Sequence, residues 1–449
     1  MNFENFKTVL LINLVTISLF LTYNLWTYQP DSSSSQKQKY IQDTPENQKK
    51  DIPNLLFPSR IIVHTEGKHL ASEQSMQANS IYRALVNGEF HSFRDISYKY
   101  RLAKNEFLSF VHGRGKIEIL FPSKIPFSAA KNIFSIEDKG LENYKFDRII
   151  LNAEGNQEGD VRAYFISYGE RKVYEMALRG VELKELHALR DQFVEKEAKE
   201  YFMYRLTDTY AIFLPQNSLP LAKMLYVIDD IEEDSFKNTL FTDMRYVKKD
   251  VTDSEEVYTD GTRLLRIHKA TQLLDYINSS VATRQHVEDE LLLQQGIDFI
   301  NSHGGWTDSY RFYSMNSENG ELIFRLFIDS NYPVFSGSGL ATLRQTWGVE
   351  ELSTYKRPLF KLTIKEVDDK KVELPSGKIV ANLLDSMPDA AKRDIKDIAI
   401  GYEMNPEVNV NTGTITAVKI EPIWYISYEK SHRKIEWDSL KGGEFVGLE

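Results

Sequence analysis

The chain has 449 residues, 42% apolar and 27% charged, so it is long enough for several packed domains and too apolar to stay unfolded. Its formal net charge is −10 and it holds no long basic run, which argues against nucleic acid, whose binding rests on neutralising phosphates. It has no cysteine, which excludes disulfides, thiolate catalysis, iron–sulfur clusters, a lipoprotein anchor and cysteine zinc sites.

Residues 9–26, VLLINLVTISLFLTYNLW, carry no formal charge. At the helical rise of about 1.5 Å per residue the stretch spans about 27 Å, close to the hydrocarbon thickness of a bilayer. It reads as an uncleaved signal anchor, since it is long for a signal core and no Ala-x-Ala-like site follows it. Trp26 and Tyr28 sit at its far end, where aromatic rings favour the headgroup interface. Within the stretch, Asn13, Thr16 and Asn24 fall inside an arc of about 80°, with Ser18 and Thr22 on the opposite side. Two readings stand side by side. Either the hydroxyls bond back to their own helix, or the polar residues form two seams for partner helices. The expected arrangement is a cytoplasmic tail at 1–8, a single membrane crossing at 9–28, and the rest of the chain outside the cell.

Residues 29–51 are rich in Ser, Gln, Lys and Asp and nearly free of large apolar residues, so they are expected to be a flexible tether. Beyond them lie about 400 residues, enough for two to four domains. We expect domains at 52–200, 201–283 and 284–449.

In the first of these, 61–63 reads as a buried strand. Ser72 is a candidate cap for a helix through Asn87, with Met76, Ile81 and Leu85 inward and Gly88 ending it. Strands are expected at 116–121 and 148–151, and a hairpin at 161–168 and 172–178 around Gly169-Glu170. Leu183, Leu186, Leu189 and Phe193 recur at helical spacing within 182–199.

In the second, 210–214 and 224–228 read as strands and 232–241 as a helix. Asp260-Gly261 marks a hairpin turn. The third opens on the clearest helix, 286–302, with Leu291, Leu292, Gln295, Phe299 and Ile300 at helical spacing. Gly304-Gly305 ends it, because glycine tolerates φ > 0. A hairpin around 318–320 follows. Strands are expected at 332–335, 342–347, 359–364, 395–402 and 414–428, with a helix at 379–387. Few helices and mostly antiparallel strands joined by short turns make the class α+β.

Catalytic signatures are missing. There is no HExxH, GxSxG or Walker A sequence. SxxK occurs five times, from Ser34, Ser128, Ser353, Ser427 and Ser431, without a following KTG or KSG triad, so Ser128 and Lys131 carry no enzymatic reading. His64 and His69 stand on a strand and turn, and the nine histidines show no metal-ligand spacing. No catalytic, cofactor-binding or metal residues are therefore expected. Asp229, Asp230, Glu232, Glu233 and Asp234 read as a solvated helix start rather than a calcium loop. Trp306, Trp347, Trp424 and Trp437 read as core or domain-interface residues.

Several blocks resemble the YycH family. They are Lys7-Thr8-Val9-Leu10-Leu11 with Tyr23-Asn24-Leu25-Trp26-Thr27-Tyr28-Gln29-Pro30, then Phe57-Pro58-Ser59-Arg60-Ile61-Ile62-Val63-His64, and Phe299-Ile300-Asn301-Ser302-His303-Gly304-Gly305-Trp306-Thr307. The stretches 324–335 and 420–428 are similar too. The resemblance implies an extracytoplasmic accessory of the WalRK (YycFG) two-component system of low-GC Gram-positive bacteria, which tunes cell-wall metabolism. It implies work alongside a second single-pass protein, YycI, on the sensor kinase WalK (YycG), with membrane helices carrying much of the contact. It implies three outer domains, the last two related to YycI, and no active-site residues. An extracytoplasmic ligand-binding or scaffold protein outside any kinase system, or a wall-facing hydrolase, are the alternatives.

Overall fold

Ile149 and Ile150 are adjacent in sequence, point to opposite sides of one strand, and are both fully buried. A strand covered on both faces shows an apolar run rather than alternation, and that is why 148–151 stands out in the sequence. The computed structural model describes residues 7, 11, 14–19, 21–22, 49–72, 79–101, 104–153, 160–196, 198–282, 286–328, 331–429, 431–438 and 442–449. The chain divides into two units, Met1–Asp43 and Thr44–Glu449.

In the first unit the described residues are helical. Among the described residues no helix is long and apolar enough to cross a membrane. Much of the predicted span 9–26 lies outside them, including Asn13, Asn24 and Trp26, as does Tyr28 beyond it.

The second unit holds two large sheets. The first runs in the order Tyr210–Pro215, Lys199–Thr207, His69–Ser72, Arg60–His64, Lys116–Pro126, Lys145–Asn152, Val161–Ser167, Lys172–Arg179, Glu89–Asp95, Ser135–Ile136. Helices Ser80–Asn87 and Leu183–Lys196 bury Ile81, Leu85, Leu186 and Phe193 against one face, with Ile149, Leu151 and Phe165. Helix Lys104–His112 covers the other face, packing Phe107, Leu108 and Val111 on Ile150 and Ile166.

The second sheet begins with Lys248–Val251, Glu255–Thr259, Arg263–His268 and Leu273–Asn278 and continues through Leu352–Pro358, Thr342–Trp347 and Glu321–Ile328. It then passes through Tyr332–Phe335, Asp397–Val408 and Ile415–Ser427 to Leu219–Asp230 and Phe360–Leu374. Tyr310–Asn316 pairs with Glu321–Ile328 off this path. Among the described strands two pairings are parallel, Glu89–Asp95 with Ser135–Ile136 and Tyr332–Phe335 with Asp397–Val408. The α+β class with mostly antiparallel sheets is what the turn spacing led us to expect. One apolar core runs from Leu55 and Phe127 through Leu292 to Ile420, so it is shared by both sheets.

Two local readings change. Ser72 lies at the end of a strand paired to Ile61 rather than capping a helix. The cap is Asn79, whose side chain accepts from Ile81 N and Tyr82 N at 3.0 and 3.2 Å; Met76 lies outside the described residues. In helix Asp289–Ser302 the inward residues are Leu292, Leu293, Gly296, Ile297, Phe299 and Ile300, while Leu291 is exposed. Gly296 lets the helix sit close to Leu322, since a Cβ there would lie 2.2 Å from Leu322 Cδ2.

Asn79→Ala removes the acceptor for two buried N–H groups. The expected loss is about 1–2 kcal/mol of unfolding free energy, read from urea denaturation; an unchanged midpoint would show that the helix start is satisfied another way.

Candidate functional site

Helix Asp289–Ser302 stops at a reversal that only glycine accommodates easily. Gly304 and Gly305 have φ of +76° and +63°, and a Cβ on Gly304 would lie 2.6 Å from the Phe236 ring. Gly305 N donates back to Ile300 O at 2.9 Å, closing the helix end. The reversal brings Trp306 over the helix terminus, where its Nε1 donates to Asn301 Oδ1 at 2.7 Å.

Asn301 is thereby fixed with its amide facing Lys50. Lys50 N donates to Asn301 Oδ1 at 2.9 Å, and Asn301 Nδ2 donates to Lys50 O at 2.8 Å. The side-chain amide thus imitates a neighbouring strand. The Lys50 ammonium donates to the carbonyls of Asp308 and Tyr310 at 3.2 and 3.4 Å and lies 5.4 Å from the Trp306 ring centre. Burial, together with the nearby Arg311 charge and against the pull of Asp308, brings its pKa down to about 8.

The segment that follows stays bound. Leu55 and Leu56 are buried, Phe312 N donates to Leu55 O at 2.9 Å, Arg311 lies 5.3 Å from the Phe57 ring centre, and Asn331 Nδ2 donates to Ser59 O at 2.6 Å. Residues 50–59 therefore form a strap across strand Tyr310–Asn316 before the chain enters Arg60–His64 in the other sheet. Lys50 falls at the end of the stretch whose composition reads as tether. Its fixation was not legible there, because it depends on an amide 251 positions away.

A second constellation lies inside the first sheet. His64 ends its strand and His69 opens the next, directly opposite across the turn. His64 Nδ1 meets His69 Nδ1 at 2.8 Å, and His64 Nε2 meets Glu118 Oε2 at 3.0 Å. His112, the last residue of helix Lys104–His112, places Nδ1 at 2.9 Å from the same Glu118 oxygen and Nε2 at 2.7 Å from Tyr168 Oη. Arg148 binds the other Glu118 oxygen and stacks on Tyr168 at 3.6 Å, while its Nε donates to Asp147 at 2.9 Å. Phe213 closes the cluster against all three imidazoles.

Glu118 is fully buried. Burial pushes its carboxyl up, but His112 and Arg148, with the hydrogen bonds of both histidines, hold it well below the usual carboxylate range. Burial lowers His112, against the pull of Glu118, and lowers His69 to about 4 with help from its neighbouring imidazoles. Spacing alone gives little sign of this cluster, since its members come from five strands, a turn and a helix. The five-residue step from His64 to His69 and the six-residue step from His112 to Glu118 are the local hints.

Of the residues singled out in the first 28 positions, Asn13, Asn24, Trp26 and Tyr28 lie outside the described residues. Thr16, Ser18 and Thr22 are helical, and Thr22 Oγ1 donates to Ser18 O at 2.8 Å, the back-bonded arrangement. Of the tryptophans, Trp306, Trp347 and Trp424 are buried and Trp437 is partly so. Ser128 is buried and Lys131 exposed.

Compared with known proteins, residues 4–198 match the family described as YycH protein, N-terminal domain, and residues 209–442 match YycH protein, C-terminal domain. The chain belongs to the YycH family. It is 24% identical over 462 residues to the "Two-component system WalR/WalK regulatory protein YycH" of Bacillus subtilis (strain 168), covering 99% of this chain and 99% of that protein. It shares its fold with the crystal structure of YycH from Bacillus subtilis, at 20% identity and a TM-score of 0.69 over 86% of this chain and 97% of the other. The YycH-like blocks at 57–64 and 299–307 are where the strap leaves the core and where the clasp for Lys50 forms.

Two outcomes test the clasp. The ordinary Lys50 value is 10.5 and the folded one about 8. Between these, the unfolded chain holds a proton that the folded chain has released, so stability rises with pH across this window. The urea midpoint of the wild type should gain on that of Lys50→Met between pH 8 and 10.5; parallel profiles would contradict the burial of the ammonium. Asn301→Ala removes both bonds to the Lys50 backbone and orphans the Trp306 indole. We expect a loss of about 1–3 kcal/mol and faster hydrogen exchange at the Lys50 amide, with the Ile62 amide in the first sheet much less affected.

Proposed function

We propose that this protein is a non-enzymatic, membrane-anchored regulator that, together with YycI, modulates the WalK sensor kinase of a WalR/WalK two-component system controlling cell-wall metabolism. The observation that carries this reading is the match of 99% of the chain to 99% of a protein named as a regulator of that system.

Anchoring is supported by the uncharged stretch 9–26. Its described apolar side chains, Leu11, Leu14, Val15, Ile17, Leu19 and Leu21, are 50–65% exposed, an arrangement that suits hydrocarbon better than water. On this reading the N-terminus is cytoplasmic and the outer body lies beyond the membrane. The Thr22 hydroxyl is satisfied within its own helix. A side-chain amide has two donors and two acceptor sites, more than its own helix readily absorbs. Asn13 and Asn24 are therefore the residues we assign to contacts with WalK and YycI, with Trp26 and Tyr28 at the interface. The strap then gives the outer body a fixed point of attachment: what leaves the membrane at 29–48 meets the fold at Lys50. A regulator of a two-state kinase acts by its differential affinity for the two states, typically ~1–3 kcal/mol.

The test is co-purification of the tagged full-length protein after gentle solubilisation from its native cell, beside a form with an unrelated membrane helix in place of 9–26. We expect kinase and YycI with the native form, less of both with Asn13→Leu/Asn24→Leu, and neither with the swapped helix. Recovery of neither partner with the native form, even after crosslinking, would overturn the assignment.

A further inference from the structure

The cluster around Glu118 has the donor set of a cation site as well as the connectivity of a hydrogen-bond network. We propose that His64 Nε2, His112 Nδ1 and Glu118 Oε2 bind one divalent transition-metal cation of the zinc class inside the first sheet.

The three donor atoms lie within 4.8 Å of one another, and all three residues are buried. Two imidazoles and a carboxylate are a donor set that zinc accepts. Metal–ligand bonds of about 2.0–2.1 Å in tetrahedral geometry place donors about 3.3–3.4 Å apart. The present separations from Glu118 Oε2, 3.0 and 2.9 Å, need to open by only a few tenths of an ångström. Each donor comes from the end or middle of a regular element, so the backbone that holds it is already fixed.

The stronger argument is what stands behind the donors. Metal-binding histidines characteristically give their other nitrogen to a hydrogen-bond partner, which sets tautomer and ring orientation. Here His64 Nδ1 meets His69 Nδ1, and His112 Nε2 meets Tyr168 Oη. The Glu118 Oε1 atom is held by Arg148, itself held by Asp147, so a single carboxylate oxygen faces the histidines. Neutralising Arg148 requires one carboxylate; it does not require two imidazoles converging on the same oxygen with both outer nitrogens also anchored.

The protons balance. Without metal, the imidazoles of His64 and His112 each donate to Glu118 Oε2, since a carboxylate oxygen only accepts, and His69 Nδ1 donates to His64 Nδ1. On binding, the His64 proton moves to Nδ1 and donates to His69 Nδ1, and the His69 proton moves to Nε2. The His112 proton moves to Nε2 and donates to Tyr168 Oη, which turns its hydroxyl hydrogen toward Ala211 O, at 3.4 Å. Ala211 N continues to donate to Tyr168 Oη at 3.0 Å. No proton is lost from the imidazoles and no outer atom loses its partner. His69 and Tyr168 are positioning residues, and water takes the fourth coordination position. Because the donors are buried, the cation enters as the sheet forms and leaves slowly.

The test uses the full-length protein in mild detergent, grown with zinc, dialysed into metal-free buffer and analysed by inductively coupled plasma mass spectrometry. About one zinc per chain is expected in the wild type and in His91→Gln, falling below about a tenth in His112→Gln and Glu118→Gln. Wild type refolded with cobalt should show the visible bands of a four-coordinate ion, a readout that does not depend on any variant folding. Folded wild type that holds no zinc and shows no cobalt bands after refolding with either ion overturns the proposal, as does a folded His112→Gln that keeps its metal. Metal content is read on the isolated protein, so a negative result leaves the regulatory reading untouched.

Discussion

The amide of Asn301 fixes Lys50, and Lys50 fixes the place where the chain joins its fold. Two backbone bonds, an indole bond and two ammonium–carbonyl bonds converge there. From that point Leu55 and Leu56 enter the core that both sheets share. The strap is thus bonded to the second sheet along its length and to the first at its end, where Ser59 N donates to Leu120 O at 2.7 Å. Loosening it exposes apolar surface common to both, which couples the two sheets more tightly than a surface linker would. The arrangement rests on backbone geometry as much as on side chains. Without positive φ at Gly304 and Gly305, Trp306 could not return to hold Asn301, and the helix end would face Lys50 with unpaired carbonyls.

The Glu118 cluster obeys a different economy. Ionised groups with little or no exposure lose hydration that pairing only partly offsets, and an apolar replacement of the whole set is often neutral or stabilising. The cluster is therefore poorly explained as a stability device. Its members are completely connected, which makes it intolerant of single changes, because each removal leaves a buried partner unsatisfied. A set of this kind specifies one arrangement of the elements it joins, here the strands of Arg60–His64, Lys116–Pro126 and Lys145–Asn152 with the helix Lys104–His112. Phe213 from Tyr210–Pro215, the edge strand of the same sheet, completes it.

What was legible in the sequence follows from which forces act locally. The hairpins at Gly169-Glu170 and Asp260-Gly261, the run 148–151 and the double glycine after Ser302 all declare themselves within a few residues, and each stands where expected. The strand Lys199–Thr207 did not, because its opening Lys-Glu reads as the tail of the preceding helix and only pairing with His69–Ser72 makes it a strand. Leu291 satisfied a helical period yet faces solvent, since Gly296 against Leu322 decides the helix's rotation. Ser72 and Asn79 were both chemically able to cap. The pairing of Ser72 with Ile61 removed it from contention. The two constellations were the least legible. Lys50 and Asn301 are 251 positions apart, and His64 and Glu118 are 54 apart, so only the topology brings them together.

On the regulatory reading, that topology bears on how a signal could pass. A tether of any length transmits little if its outer end can slide or fray, because motion is absorbed where the chain is loosest. Lys50 is held by its backbone as well as its ammonium, so displacement at this end must break several bonds together or move the strap as a piece. The strap in turn lies on Tyr310–Asn316, whose partner Glu321–Ile328 sits in the middle of the second sheet. A partner binding the outer surface of that sheet would thus act on the same strand pair that receives the chain from the membrane side. The coupling requires only that the partner favour one placement of the strap by about 1–3 kcal/mol, comparable to the loss expected on Asn301→Ala.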